Sequence, residues 1–409
     1  MLNRRTLIKH LSAMPMVGGL FGGVAAPLTT VLAATAPTVA PRNLVKELGI
    51  RTFINAAGTY TAMTGSLMEE DVVNTILASS KEFMMLDDVQ TKVGEKIAAI
   101  THAESAVVTA GCFSAMTLGL AGVLTGMDPK KVEQLPHLAG TGMKSEVIAQ
   151  KAHDIGYSHA LTNTGCNIIQ VETIEDVEKA ITDKTALLWF LNIQSDKGKI
   201  QHKDWVALGK KHNIPTMIDI AADVPPVENL WKFHDMGFDL VCVSGGKAMR
   251  GPQSAGILMG KKKYIDAARL SMPPRGATIG RGMKVNKEEI LGMYVALERF
   301  VARDQDKDWK ILEERAATIA NAAKSVNGVT VESFAPVLGN HTPTLRLTWD
   351  VTKVKLTPKV LQENLRNGNP SIEIVGEPNG ISMTAWMLKA GEEKIVAARL
   401  KEELTKAAV

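Results

Sequence analysis

Short apolar segments alternate with helix-like stretches in the middle of this chain. Seven of these segments have the length of a β-strand, and most are followed by a polar or glycine-containing turn. They occupy residues 106–109, 146–150, 167–172, 186–191, 216–220, 240–243 and 255–259. Strands separated by helix-length intervals are joined by right-handed crossovers, which predicts a mostly parallel sheet with helices on both faces. Ligands of such sheets bind at the carboxyl ends of the strands.

The pattern changes after Met283. Apolar or aromatic residues at 290, 294, 297 and 301 recur at helical spacing and begin a helical region that extends to about residue 326. The later segments predict strands at residues 329–334, 344–349, 371–375 and 381–385 and a closing helix at 392–407. We therefore expect a second, smaller α+β domain after the helical region.

The first 36 residues resemble a twin-arginine export signal. Arg4 and Arg5 precede a glycine- and alanine-rich run that begins at Leu11 and ends in small residues. A membrane anchor is the alternative, but Pro15, Pro27 and four glycines make this run a poor spanning helix. The resemblance implies transfer by the twin-arginine translocase and a periplasmic location. Because that route is understood to carry folded proteins, it also favours a cofactor bound before export.

Together these patterns predict five segments in a chain that is long enough for more than one buried core. The chain has 409 residues, of which 45% are hydrophobic and 22% charged. The predicted segments are the export signal (1–36), an N-terminal arm (37–60), a large α/β domain (61–285), connecting helices (286–326) and a small C-terminal domain (327–409).

The charge balance argues against nucleic acid as a partner. The formal net charge is +4 at pH 7, and basic residues within the export signal supply three of these charges. The rest of the chain is almost neutral and lacks the basic surface that binds phosphate backbones. Cys112, Cys166 and Cys242 show no Cys-x-x-Cys spacing, and the histidines form no zinc motif. We therefore expect neither a disulfide framework nor a metal site.

One lysine is placed for covalent chemistry. The apolar segment at 240–243 leads into Ser244 and a glycine pair, and Lys247 follows directly. A phosphate-binding P-loop is disfavoured because Ala248 stands where a serine or threonine would bind magnesium. A lysine that is partly desolvated at a strand end forms a Schiff base with a carbonyl cofactor. An ordinary surface lysine is the alternative, and taken alone it would be the better interpretation.

A carboxylate on another apolar segment favours the cofactor. Asp219 lies near the end of the segment at 216–220, upstream of Lys247. Pyridoxal phosphate needs such a carboxylate to keep its ring nitrogen protonated as an electron sink. Asp219 could instead cap a helix; Asp223 competes with it for the ring nitrogen, although Asp223 fits the helix cap better.

Residues 106–115 predict a strand, a turn of small residues and an apolar helix. Free amides at the start of that helix, next to Gly111, would bind the phosphate of a cofactor. The same order of elements is common in α/β proteins. It gains weight here because Asp219 and Lys247 follow it in the chain.

The phosphate turn, the aspartate and the lysine, in this order, resemble those of fold-type I pyridoxal phosphate enzymes. The finer similarity is to the selenocysteine synthase-like family, which includes L-seryl-tRNA(Sec) selenium transferases and D-glucosaminate-6-phosphate ammonia lyase. It covers nearly all of the chain after the export signal, from residues 53–61 through 140–147 to 280–285, and it is most specific in the sequences SGGK at 244–247 and RGPQ at 250–253. The resemblance implies a large domain with a mostly parallel sheet flanked by helices and a smaller C-terminal domain.

The resemblance also implies roles for individual residues. Lys247 would carry the cofactor as a Schiff base, and Asp219 would pair with its pyridinium nitrogen. The other residues expected to bind the cofactor are Gly111, Cys112, Phe113, Ser114, His153, Ser244 and Gln253. His153 is the first choice for stacking on the cofactor ring and Tyr157 the second, with His159 nearby. For each of these histidines, the alternative is an ordinary position on the surface or in the core.

Basic residues elsewhere are candidates for binding the substrate. Arg275, Arg281 and Lys284 lie on a loop rich in proline and glycine, which suits an anionic substrate or the phosphate of a neighbouring subunit's cofactor. A solvated basic loop is the alternative. Arg346, on a predicted strand of the small domain, is a candidate for binding a carboxylate, and Tyr60 completes the substrate set.

The resemblance implies a pyridoxal phosphate-dependent lyase acting on an amino acid or amino sugar acid. The reaction would be an α,β-elimination of the ammonia lyase or dehydratase type, with loss of water and ammonia to a 2-oxo acid. A transferase, aldolase or racemase with the same cofactor is the first alternative, and a non-catalytic binding protein that retains the fold is the second. The resemblance further implies a homodimer or larger homo-oligomer, whereas the near-neutral charge disfavours a tRNA substrate.

Overall fold

The computed structural model describes residues 42–409. The predicted export signal therefore lies outside the described residues, as does the first part of the predicted arm. The chain divides after Arg51 into two units. In the described residues of the first unit, helix α1 (Leu44–Glu47) begins after Asn43, whose side chain accepts a hydrogen bond from the Lys46 amide. Across residues 42–409, the helices are all too short or too polar to cross a membrane.

All seven strands predicted for the large domain occur, and they form one sheet. The strands are β2 (Ser105–Thr109), β3 (Glu146–Gln150), β4 (Asn167–Val171), β5 (Thr185–Leu191), β6 (Thr216–Asp219), β7 (Leu240–Ser244) and β8 (Gly256–Gly260). Their order is β2-β8-β7-β6-β5-β3-β4. Strand β8 is antiparallel to both of its neighbours, and the other pairs are parallel. The prediction of a mostly parallel sheet is confirmed.

Strand β5 shows why the inner strands of this sheet are almost continuously apolar. All seven of its residues are buried. Trp189 packs into the core on one face of the sheet, and Phe190 packs into the core on the other. A strand that is covered on both faces has no solvent side, so its sequence does not alternate between apolar and polar residues.

Helices cover the sheet on both sides. They are α2 (Glu70–Ser79), α3 (Leu86–Thr101), α4 (Gly111–Thr125), α5 (Pro129–Gln134), α6 (His159–Thr162), α7 (Ile174–Ala180), α8 (His202–His212), α9 (Asn229–Met236) and α10 (Lys262–Leu270). Helix α4 is buried around most of its circumference. This burial explains its nearly continuous apolar sequence, and it holds the start of the helix firmly against the sheet.

The predicted helical region consists of two helices, α11 (Lys287–Ala302) and α12 (Gln305–Lys324). The break between them lies at Arg303, which has an extended backbone, and at Asp304, whose side chain accepts a hydrogen bond from the Lys307 amide. An aspartate at this position stabilises a new helix start. The apolar spacing had indicated helix on both sides of the break without locating it.

A four-stranded antiparallel sheet follows the connecting helices. Its strands are β9 (Val329–Phe334), β10 (Thr344–Trp349), β12 (Val375–Glu377) and β13 (Gly380–Thr384), in the order β12-β13-β10-β9. Helix α13 (Pro358–Asn367) and helix α14 (Glu392–Lys406) accompany this sheet.

The strand predicted at residues 371–375 is not one strand. Its first part is β11 (Ile372–Glu373), which pairs in parallel with β1 (Ile54–Asn55), while Val375 begins β12. The Ile54 amide donates to the Ser371 carbonyl at 2.8 Å. The predicted N-terminal arm is thus hydrogen-bonded to residues of the predicted small domain. A single run of apolar residues could not reveal this because its two halves pair with different partners.

Candidate active site

Three of the predicted elements meet at one edge of the large sheet. Strands β2, β6 and β7 run in the same direction, because β8 is antiparallel to both β2 and β7. Their carboxyl ends therefore lie on one side. Helix α4 starts there after β2, Asp219 ends β6, and Lys247 follows β7 after two glycines. The fold brings the predicted phosphate turn, carboxylate and lysine together.

The turn that carries Lys247 depends on two glycines. A Cβ atom on Gly245 would lie 2.0 Å from Sδ of Met293, and one on Gly246 would lie 2.4 Å from the Cα atom of Gln253. Neither position has room for a side chain. The turn is closed by backbone hydrogen bonds, including that from the Gly245 amide to the Ala255 carbonyl at 2.9 Å. Lys247 itself is half-buried.

The segment after the predicted arm packs on this turn. The Ser66 amide and hydroxyl both donate to the Gly246 carbonyl, at 3.0 and 3.1 Å. Gln253 donates from Nε2 to the Thr61 carbonyl at 3.4 Å. Gln253 thus ties the turn to this segment, and its predicted contact with the cofactor stays a prediction. Tyr60 is 46% exposed, so its side chain is accessible to a ligand.

Asp219 is a buried carboxylate with one oxygen available. Its Oδ1 accepts hydrogen bonds from the Ala221 amide at 2.8 Å and from the Cys112 thiol at 3.3 Å. Among the described residues, Oδ2 has no recorded hydrogen bond. Burial raises the pKa of Asp219, and the two hydrogen bonds and the positive charge of Lys247 act against that rise. A protonated ring nitrogen would satisfy the remaining oxygen, so this carboxylate fits pyridoxal phosphate.

The alternative interpretation of both aspartates as helix caps is wrong. The next helix, α9, begins only at Asn229. Asp223 is buried and accepts a hydrogen bond from the Gly339 amide at 2.9 Å. Burial raises the pKa of Asp223 to about 6, because contacts with Asn192 and Gly339 only partly offset the loss of solvent. Asp223 therefore anchors the loop before β10.

The loop before β10 was not identified from the sequence as part of the site. The Asn340 amide donates to the Ala222 carbonyl, and Thr59 donates from its hydroxyl to Oδ1 of Asn340 at 3.2 Å. The loop thus connects the segment after Asp219 with the segment after β1. A Gly-Asn pair in the sequence indicates a turn and contains no signal for these distant partners.

The start of helix α4 has the features of a phosphate site. Gly111 has a φ of +83°, which favours glycine, and Ala110 provides no side-chain cap for the first amides of the helix. Uncapped amides at a helix start bind anions. Ser114 is buried, and Phe113 is partly exposed. Ser244 ends β7 opposite Gly256, which begins β8.

Cys112 differs from its predicted role. It was expected to bind the cofactor, but its thiol donates to Asp219. Burial raises the pKa of Cys112 well above its usual value, and the nearby carboxylate adds to this effect. The thiol is therefore neutral and serves as a donor. Only the backbone of Cys112 remains available for a phosphate group.

We expect Cys112→Ala to reduce turnover by roughly threefold to tenfold while the cofactor stays bound, because a buried carboxylate loses one donor. Cys112→Ser is the matched control, since its hydroxyl can still donate to Asp219. Steady-state kinetics, normalised to the cofactor content of each variant, measures the effect. Equal activity of the alanine and serine variants would show that the thiol only fills space.

His153 is not placed for stacking in this structure. Its ring has no exposed surface, Nδ1 accepts a hydrogen bond from the Leu191 amide at 3.2 Å, and the ring packs edge-on against Phe190. Burial lowers the pKa of His153 to about 4. The ring therefore presents no free face to a cofactor. Tyr157 and His159 are exposed.

Two of the predicted substrate residues already bind carboxylates within the chain. Arg275 donates to both oxygens of Asp87, at 3.1 and 3.3 Å. Arg346 donates to Glu377 and to Glu332, each at 3.0 Å. These arginines have structural partners, which corrects the expectation that they are free to receive a substrate carboxylate.

Arg281 and Lys284 remain candidates. Both are exposed, and Arg281 lies on the short helix Ile279–Gly282. No ion pair is recorded for either within residues 42–409.

Comparison with known proteins agrees with this arrangement. The sequence model of the L-seryl-tRNA selenium transferase (SelA) family matches residues 53–335, which is more than half of the chain. The chain belongs to the SelA family. Pyridoxal phosphate is the cofactor of this family and of its structural neighbours, and the homologues include an ammonia lyase and selenium transferases. The predicted family, enzyme class and cofactor are confirmed.

Two relatives illustrate the range of reactions in the SelA family. D-glucosaminate-6-phosphate ammonia lyase of Salmonella typhimurium is 25% identical over 88% of this chain and 97% of its own length. L-seryl-tRNA(Sec) selenium transferase of Alkaliphilus oremlandii is 24% identical over 87% of this chain and 82% of its own length.

Solved structures confirm the predicted fold-type I architecture. A structure of D-glucosaminate-6-phosphate ammonia lyase superposes with a TM-score of 0.79, at 24% identity, over 90% of this chain and all of the other. Serine palmitoyltransferase of Sphingomonas wittichii gives a TM-score of 0.54, at 12% identity, over 88% of this chain and 89% of the other. The large and small sheets of this SelA family member therefore form the same fold.

Proposed function

We propose that this chain is a pyridoxal phosphate-dependent ammonia lyase for an amino acid or amino sugar acid. The observation that carries the proposal is the placement of Lys247 and Asp219 at the carboxyl ends of neighbouring strands, beside the uncapped start of α4. The extent of the similarity to the Salmonella ammonia lyase, 97% of its length, favours a lyase over a transferase.

Each of these groups has a separate task. When bound, pyridoxal phosphate supplies an electron sink for the bonds at the substrate Cα atom. Lys247 holds the cofactor through its amine and then moves a proton at Cα. Asp219 holds a proton on the ring nitrogen through Oδ2. The amides at the start of α4 bind the phosphate and thereby fix the position of the ring.

The net reaction follows from the elimination. Loss of a β-hydroxyl group as water leaves an enamine, and its imine form is hydrolysed in turn. The water released is therefore consumed again, and a 2-oxo acid and ammonia are the products.

The experiment that tests the proposal combines spectroscopy with a product assay. Protein purified with pyridoxal phosphate is expected to absorb at about 410–430 nm and to lose this band with borohydride. A panel of D- and L-amino acids and amino sugar acids is then assayed for release of ammonia and a 2-oxo acid. A colourless protein that takes up no added cofactor would contradict the proposal. Transfer products without ammonia would favour the transferase alternative.

We also propose export through the twin-arginine route. Replacing Arg4 and Arg5 with lysine is expected to hold the precursor in the cytoplasm, because this route recognises the paired guanidinium groups and not only their charge. Fractionation of cells that express the two forms measures the effect. Lys9→Arg is a control that leaves the pair intact, and periplasmic accumulation of the lysine variant would point to a different route.

The exposed Arg281 and Lys284 lead to a proposal on assembly. We propose a homodimer in which their loop reaches the partner's site. Arg281→Ala should then weaken cofactor or substrate binding, and mixing it with Lys247→Ala should restore some activity, because hybrid dimers contain one site with both residues intact. Kinetics of the mixture and light scattering test this. A monomer, or subunit exchange without recovery, would place Arg281 in its own chain's site.

A further inference from the structure

A cavity of about 780 Å³ lies beside the candidate active site. Its walls come from the junction of α11 and α12, from residues 225–228 after Asp223, and from residues 386–390 after β13. Ala248, the residue after Lys247, also lines it. The cavity thus touches the segments that follow both candidate catalytic residues, and the residues discussed for the cofactor do not fill it.

Three half-buried arginines line this cavity, and two of them have no carboxylate partner. Arg303 pairs with Glu69. Arg250 donates from Nη2 to the Trp386 carbonyl at 3.2 Å, and Arg315 donates from Nη1 to the Leu388 carbonyl at 2.8 Å. Within residues 42–409, no ion pair is recorded for Arg250 or Arg315. Each guanidinium has five N–H donors, so most of their donors remain available.

The remaining charges of the cavity are closer to solvent. The lining includes the acidic residues Glu228, Asp306 and Asp308 and the basic residue Lys389, all of which are exposed. The inner part of the cavity is therefore more basic than its rim. Burial lowers the pKa of Arg250, and the positive charges of Arg303 and Arg315 lower it further, against the opposite effect of Glu69 and Asp308. An anion between these arginines would relieve that repulsion.

An aromatic wall lies next to the arginines. Trp309 and His341 both line the cavity, and their rings stack with centroids 5.0 Å apart. A flat apolar surface next to guanidinium groups suits a ligand with a short carbon chain and an anionic end. Phosphate fits the anionic end best, because two planar guanidinium groups can each bind it through paired hydrogen bonds.

We propose that this cavity is a binding site for a phosphate group, held by Arg250 and Arg315. The phosphate comes either from the distal end of a phosphorylated amino sugar acid or from free inorganic phosphate. The first source rests on the proposed lyase function and would define its substrate class, whereas the second is independent of it.

Calorimetry of the cofactor-loaded protein with inorganic phosphate tests the site. Sodium chloride at the same ionic strength is the reference, and the loaded protein is used so that phosphate does not enter the cofactor's own phosphate site. Arg250→Gln and Arg315→Gln should each weaken phosphate binding about tenfold or more. Lys359→Gln, which removes a positive charge from an exposed position on α13, should bind phosphate like the wild type.

Conservative variants keep the test decisive if a glutamine variant folds poorly. Arg250→Lys and Arg315→Lys retain the charge and lose the paired geometry, so each should bind phosphate with an intermediate affinity. Circular dichroism verifies the fold of every variant. The proposal would be overturned if the wild-type protein bound phosphate no more tightly than chloride. It would also be overturned if folded glutamine variants had an unchanged phosphate affinity.

Competition then identifies the source of the phosphate. D-glucosaminate 6-phosphate and D-glucosaminate are added separately to the phosphate titration. Displacement by the phosphorylated compound alone, with a KM increase in Arg250→Gln for that compound only, identifies the substrate's own phosphate. Phosphate binding without such displacement identifies a separate ligand. Because calorimetry requires no turnover, phosphate binding by a protein that lacks lyase activity would refute the proposed function and leave this site standing.

Discussion

Lys247→Ala is expected to yield a folded protein that has lost covalent attachment of pyridoxal phosphate and practically all turnover. The amine is the only group of this side chain that the proposed chemistry uses. The turn itself is held by backbone hydrogen bonds of Gly245 and by the close packing of Gly246 on Gln253. Turnover should fall by more than about a thousandfold, since the same amine holds the cofactor and moves the proton at Cα.

Absorbance spectra and circular dichroism measure these two expectations separately. The band at about 410–430 nm should disappear from Lys247→Ala while the far-ultraviolet spectrum stays unchanged. Lys359→Ala is the control, because Lys359 is exposed on α13. A visible band that is retained and still sensitive to borohydride would show that another lysine holds the cofactor.

Asp219→Asn is expected to retain the cofactor and lose turnover on the order of a thousandfold. A neutral amide cannot hold the ring nitrogen protonated, so the cofactor loses its capacity to accept electrons from Cα. The amide is almost equal in size to the carboxylate, and its oxygen can still accept from the Ala221 amide, which now bonds to Oδ1 at 2.8 Å. The loss should therefore appear in kcat more than in stability.

Asp223→Asn is the matched control for this prediction. Asp223 is equally buried, and its recorded amide partner is Gly339 in the loop before β10. Its replacement should disturb this loop and leave the spectrum of the bound cofactor unchanged. Steady-state kinetics with cofactor content measured for each variant separates the two cases. Near-normal activity of Asp219→Asn, with a large loss in Asp223→Asn, would reverse the assignment of the two carboxylates.

The elements around the candidate site could be predicted because each depends on the residue types within a short segment of the chain. The inner strands of the large sheet are buried on both faces, so an uninterrupted apolar run identifies them, whereas the edge strand β4 is partly exposed. The glycine pair before Lys247 indicates a tight turn, and the turn requires it. The predicted ends of the strands differ from the observed ends by a residue or two, because fraying and the pairing with neighbouring strands set these ends.

The partners of individual side chains could not be predicted in the same way. Arg275 and Arg346 were expected to bind substrate because they are basic residues at plausible positions. Their carboxylates, on Asp87 and on Glu332 and Glu377, lie far away in sequence or on other strands of the small sheet. The charge of a residue is visible in the sequence, but whether that charge is already neutralised depends on what the fold places beside it.

The sequence by itself determined the order of strands and helices in the large domain, the fold class, the cofactor and the candidate pair Lys247 and Asp219. These follow from periodicity, from turn residues and from motifs, all of which act over a few neighbouring positions. Only the tertiary structure decided that the Cys112 thiol binds Asp219, that His153 is enclosed, and that the guanidinium groups of Arg250 and Arg315 line one cavity. These contacts join residues far apart in the chain, and burial and hydrogen bonding at such distances depend on how the whole chain packs.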